Sequence, residues 1–158
     1  MTNNEILFMI QYALNLDDLT MDQIYYLSGG KEKSSTLTAF IKNADEAGYK
    51  PCPASVITSF LDGLIIYKRG QINRTEDSEE NTELPLSNNV ILKKLRIALN
   101  LKEDQMLEIF KLAKYEISKY ELNALFRKEE NKHFKKCNAS LMNKFLGGLA
   151  LWCRNTNN

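Results

Sequence analysis

The first apolar segment of the chain opens with Asn3-Asn4-Glu5-Ile6-Leu7, and it returns 85 residues later as Asn88-Asn89-Val90-Ile91-Leu92. A second segment, Phe60-Leu61-Asp62-Gly63-Leu64, returns at the same interval as Phe145-Leu146-Gly147-Gly148-Leu149. A fixed internal period of this kind indicates a duplicated structural unit, from which the architecture follows.

The duplication covers nearly the whole chain. Without a gap, residues 3–69 match residues 88–154 at 22 of 67 positions, several-fold more than chance composition supplies. We therefore divide the chain into a first helical repeat (1–70), an acidic linker (71–87) and a second helical repeat (88–158). The linker is polar and unpatterned, which is typical of a solvated spacer. The alternative is that it folds over the second repeat and competes there with an anionic ligand.

Each repeat is predicted to form four α-helices. In the second repeat, Ile91, Leu92 and Leu95 recur at the spacing of one helix face. N-cap side chains precede that face at Ser87, Asn88 and Asn89, and Asn100 follows it as a left-handed C-cap. The alternating apolar pattern of a half-buried strand is absent, so we expect an all-α protein.

Two glycines interrupt the longest predicted helices, which span residues 53–69 and 138–154. Gly63 and Gly148 each cost about 1 kcal/mol relative to alanine in a helix interior, so close backbone approach is expected at both. We predict that these two helices cross near the glycines, about the axis of a pseudo-twofold dimer. Independent packing within each repeat is the alternative.

Charge divides the chain unevenly. Residues 1–70 carry 6 basic and 8 acidic side chains, a net charge of −2, whereas residues 88–158 carry 14 and 7, a net charge of +7. Lys93, Lys94 and Arg96 on one helix are therefore candidate anion or nucleic-acid contacts. The alternative is an ordinary charged surface.

The first repeat has the opposite character at the equivalent positions. Phe8, Met9 and Tyr12 lie off the predicted core stripe, where the second repeat has Lys93, Lys94 and Ile97. These three side chains are either buried beneath the linker or form an exposed apolar patch. An exposed patch would be a candidate protein interface.

Cys52 and Cys137 occupy equivalent positions at the start of the fourth helix of each repeat, where a lowered thiol pKa would permit redox sensing or catalysis. The alternative is a small buried residue that packs. The single histidine, His133, belongs to one repeat only, and we find no metal, cofactor or catalytic motif. We predict a non-enzymatic protein without cofactor or metal.

Several of these segments resemble a known family. They are the run 88–96, the cysteines placed three residues after Tyr49 and Phe134, and the segment 60–64 with Lys68 and Arg69. The chain is similar to the YehS-like family of small bacterial proteins, a domain-of-unknown-function family. The resemblance implies a cytoplasmic bacterial protein built from tandem helical repeats, and it brings no activity, substrate or catalytic residue.

The sequence as a whole favours an α-helical interaction protein with a macromolecular partner, most readily another protein. The alternatives are weak nucleic-acid binding through the second repeat and thiol chemistry at the two cysteines. No apolar run approaches the ~20 residues that cross a bilayer, so no membrane partner is expected. The amino-terminal residues lack the basic stretch of a secretory signal, which favours the cytoplasm.

Overall fold

The computed structural model describes residues 1–29, 34–70 and 85–156, and in the third helix it describes side chains from Leu37 onward. This part of the chain is all-helical, as predicted. Its helices are α1 (Asn3–Leu14), α2 (Asp18–Leu27), α3 (Ser34–Ala39), α4 (Ala54–Arg69), α5 (Asn88–Leu99), α6 (Glu103–Leu112), α7 (Lys119–Leu125) and α8 (Ala139–Thr156). Most of the predicted linker, residues 71–84, lies outside the described residues.

Polar capping residues in the sequence mark where the helices begin and end. The Ser87 hydroxyl accepts a hydrogen bond from the backbone N–H of Val90, and Thr2 caps α1 in the same way through Glu5. At the other ends, Asn15 and Asn100 adopt the left-handed conformation, with φ of 53° and 52°. An asparagine there satisfies the last carbonyls of the helix at less steric cost than most other residues.

Each repeat closes around its own last helix. Helix α2 packs on α4, and α6 packs on α8. The repeats then exchange their first helices: α1 packs chiefly on α8, and α5 packs on α4. Because the same pair of elements meets twice with the repeats exchanged, this arrangement is that of a pseudo-twofold dimer within one chain.

The predicted crossing of the two glycine-bearing helices is wrong. A Cβ built on Gly63 would collide with the carbonyl of Ile24 on α2, and one built on Gly148 would collide with the carbonyl of Ile109 on α6. Both glycines therefore allow close backbone approach, but within a repeat. The alternative of packing within each repeat is the correct one for these two positions.

A pair of asparagines anchors the first helix of each repeat to the segment before the last helix. The side chain of Asn4 accepts from the backbone N–H of Cys52 at 2.7 Å and donates to the Lys50 carbonyl at 2.8 Å. Asn89 accepts from Cys137 in the same way, at 2.8 Å. These contacts satisfy buried backbone groups that would otherwise destabilise the fold, and they give the two asparagines the same role in both repeats.

Candidate interaction surface

Helix α1 leaves two large aromatic side chains in solvent. Phe8 is 50% exposed and Tyr12 is 58% exposed, and the two lie one turn apart. The opposite face of the helix is fully buried through Ile6, Leu7 and Ile10. The core therefore does not account for the two aromatic residues.

Met9 has a different position from its two neighbours. Its side chain is partly buried and packs against the hydrophobic core. Its equivalent in the second repeat is Lys94, which faces α4, and Met9 lies on the corresponding side of α1, which faces α8. Of the three predicted interface residues, Phe8 and Tyr12 are exposed, whereas Met9 is partly buried.

The neighbouring helix α8 extends this exposed region. The Arg154 guanidinium lies over the Tyr12 ring, 4.4 Å from its centroid, and Leu151, one turn earlier on α8, is also exposed. Such a cation–π contact holds the arginine side chain against the face of an aromatic ring, and the guanidinium keeps its positive charge. We call Phe8, Tyr12, Leu151 and Arg154 together the α1–α8 surface.

The pseudosymmetric position on the other side of the molecule is built differently. There Arg69, the equivalent of Arg154, donates hydrogen bonds to the Asn100 side chain at 2.9 Å and to the Ile97 carbonyl at 3.2 Å. Lys93 replaces Phe8 in that region. The arginine there is occupied by contacts across the repeats, and the aromatic pair is absent.

The three candidate anion contacts do not form one free basic face. Lys94 is only 3% exposed, and its ammonium group forms an ion pair with Asp62 on α4. Arg96 donates to the Leu101 carbonyl at 3.1 Å and stacks on Phe126. Lys93 alone of the three is exposed. Burial and pairing argue against Lys94 as a phosphate contact, because a buried ammonium cannot reach a ligand in solvent.

The two equivalent cysteines are buried. Burial raises the pKa of Cys52 to about 12 and that of Cys137 to about 11, since a thiolate loses its hydration in an apolar site. A reactive thiol needs the opposite shift. The environment of both residues therefore supports the packing interpretation.

We expect the native protein to resist alkylation at both positions. In a Cys153→Ser background, iodoacetamide at pH 8 should modify Cys52 and Cys137 about a hundredfold or more slowly than it modifies the same thiols in denaturant, because the raised pKa leaves little thiolate. Mass spectrometry of timed samples measures both rates. Native-state modification at the denatured rate would show a reactive thiol and revive the thiol hypothesis.

Neither metal nor membrane features emerge from the described helices and loops. Within residues 1–29, 34–70 and 85–156, no three histidine, cysteine or acidic side chains are placed to hold a metal ion. Over the same residues, no helix is long and apolar enough to cross a membrane.

The fold and its surfaces define a class of protein: a tandem-repeat, all-α pseudo-dimer with an exposed aromatic surface. The chain belongs to the family described as "Protein of unknown function (DUF1456)", which matches residues 3–70 and again residues 88–154. It is 34% identical over 150 residues to the "Uncharacterized protein YehS" of Escherichia coli (strain K12), an alignment that covers 95% of each chain. No solved structure gives a significant match.

Proposed function

We propose that this protein is a non-enzymatic interaction protein that binds a protein partner through the α1–α8 surface. The proposal is based on one observation, the exposure of Phe8 and Tyr12. These two large aromatic side chains are half exposed on α1, on the side opposite to its buried face. Aromatic and arginine side chains dominate the binding energy of protein interfaces, and this surface combines both.

The chemistry of the surface indicates the kind of partner. Phe8, Tyr12 and Leu151 favour an apolar side chain from the partner, which would remove all three from water. Arg154 stands beside them as an exposed cation and favours an acidic group at the rim of the contact. A short helix with apolar residues on one face and an acidic residue at its edge has this chemistry.

The contrast between the two repeats supports a specific role for the first one. The same fold is built in the second repeat with Lys93 and Ile97 in place of Phe8 and Tyr12. Exposed aromatic side chains are therefore not required by the repeat architecture. A duplicated protein that keeps such a pair on one repeat only is suited to bind one partner asymmetrically.

Site-specific photocrosslinking in the native host tests the proposal. A benzoyl-phenylalanine at position 8 or 12 should give an adduct with one and the same protein, identified by mass spectrometry. The matched control is the same probe at Leu19, an apolar side chain on α2 that is 68% exposed but lies outside the surface. Arg154→Glu should weaken the adduct, because it reverses the charge offered to an acidic partner. Equal labelling from position 19, or none from 8 and 12, would overturn the proposal.

A further inference from the structure

A second exposed cluster lies on α7 and the loop that follows it. Tyr120 is 60% exposed, and its hydroxyl lies 2.9 Å from Nδ1 of His133. The two rings meet edge to face, with centroids 6.2 Å apart. The Arg127 guanidinium lies 5.7 Å from the centroid of Tyr120. We call Tyr120, Arg127 and His133 the α7 surface.

This cluster belongs to the second repeat alone. At the positions of Tyr120 and His133, the first repeat has Ser35 and Gly48. The first repeat forms the same order of helices with those small residues, so the fold does not require the pair Tyr120 and His133. The pair occurs in one repeat only, as Phe8 and Tyr12 occur only in the other.

Positive charge surrounds the α7 surface and is largely unpaired. Arg127 has no acidic partner in the described part of the chain, and its buried Nε has no hydrogen-bond acceptor there. Lys128 and Lys132 are exposed on the same loop. Lys135 is different, because it forms a 2.6 Å ion pair with Glu121.

The loop also carries two acidic residues, which reduce this charge without cancelling it. Glu129 and Glu130 are exposed, and with Lys135 paired to Glu121 residues 126–136 retain four basic side chains against these two, an excess of +2. The whole second repeat has an excess of seven positive charges. The partner that suits this region is therefore an anion, and the Tyr120 ring offers it an aromatic face.

We propose that the α7 surface binds single-stranded nucleic acid, with one unpaired base stacked on Tyr120 and backbone phosphates against Arg127, Lys128 and Lys132. Exposed aromatic rings interleaved with cations are the combination that such strands use, since every base offers a π-face and every nucleotide a negative charge. A duplex keeps its bases stacked and cannot use the ring. An acidic peptide would engage the cations and would gain no stacking from Tyr120.

Fluorescence anisotropy with a fluorescein-labelled oligouridylate of about 20 nucleotides tests the proposal on the full-length chain. Binding should be measurable at about 50 mM salt and should weaken as salt rises. Three phosphate contacts give a log–log slope near −2, about −0.7 for each phosphate neutralised on a single strand. A duplex of the same length should bind more weakly, because its bases remain stacked.

Two tyrosine variants separate stacking from charge. Tyr120→Ser, which installs the residue of the first repeat, should weaken binding about tenfold, whereas Tyr120→Phe should retain it. Tyr12→Ser is the matched control, because Tyr12 is an equally exposed tyrosine on the other repeat. It should leave the affinity for nucleic acid unchanged and should weaken only the binding of the protein partner at the α1–α8 surface. The two proposals therefore fail separately.

Several results would overturn the inference. One is the absence of binding at about 50 mM salt from a protein whose thermal denaturation shows it to be folded. A second is equal affinity in the Tyr120→Ser and Tyr12→Ser variants while Arg127→Gln weakens binding, which would mean a contact by charge alone. A third is equal competition by an oligoglutamate peptide, which would assign the surface to an acidic protein.

Discussion

Gly148→Ala should destabilise the protein by about 3 kcal/mol, although it adds only one methyl group and raises helix propensity. The added Cβ would lie closer than 3.0 Å to the Ile109 carbonyl, and this neighbour is backbone that a rotamer change cannot move. Helices α6 and α8 would have to separate, and overpacking of this kind costs about 1–3 kcal/mol or more. Gly63→Ala should behave in the same way against Ile24 on α2. Urea denaturation followed by circular dichroism measures both changes.

The adjacent glycine provides a matched control on the same helix. A Cβ built on Gly147 has no atom within 4 Å, so Gly147→Ala should be neutral or should stabilise the protein by up to about 1 kcal/mol. The two substitutions are chemically identical and one residue apart, so their difference isolates the contact with α6. Equal stability of Gly147→Ala and Gly148→Ala would contradict the packing described for these helices.

The sequence predicted the elements of the fold well, because their signals are local. Ser87 and Asn100 bracket α5 as expected, since the Ser87 hydroxyl and the Asn100 backbone N–H each bond to backbone only a few residues away. The prediction that Gly63 and Gly148 allow close backbone approach was also correct, because a glycine in the middle of a helix indicates a close neighbour. The prediction of which helix lies there was wrong, since a helical wheel gives the direction a residue faces and does not identify the helix packed against it. Because the two repeats share one apolar pattern, packing within a repeat and packing between repeats are equally compatible with it.

The surfaces were harder to predict for a related reason. Lys94 lies off the core stripe of α5 and reads as exposed, but α4 of the other repeat covers it. Asn4 and Asn89 stand in the first turns of their helices, and their side chains bind backbone almost fifty positions away in the sequence. Periodicity reports the face that an isolated helix buries. It carries no information on contacts made across repeats or between distant segments, and these decide which polar groups remain free.

Removing Asp62 should destabilise the protein strongly, because it leaves a buried charge unpaired. Asp62→Ala leaves the ammonium of Lys94, which is 3% exposed, without its acidic partner, and breaking a buried pair in this way costs about 3–5 kcal/mol. Lys94→Met should cost less, because Asp62 is 23% exposed and can be hydrated in part. The doubly substituted protein, with Lys94→Met and Asp62→Ala, should regain most of the lost stability.

The pseudosymmetric contact in the same protein supports the expected recovery of stability, because it lacks the ion pair. At the pseudosymmetric positions, Met9 stands for Lys94 and Gly147 stands for Asp62, so one side of the pseudo-dimer has an ion pair where the other has none. A double-mutant cycle by urea denaturation should therefore give a coupling energy of about 2 kcal/mol or more. The same cycle on the exposed pair Lys135 and Glu121 should give less than about 1 kcal/mol. If both cycles give the same small coupling energy, Lys94 and Asp62 are hydrated in solution and the buried pair does not hold the repeats together.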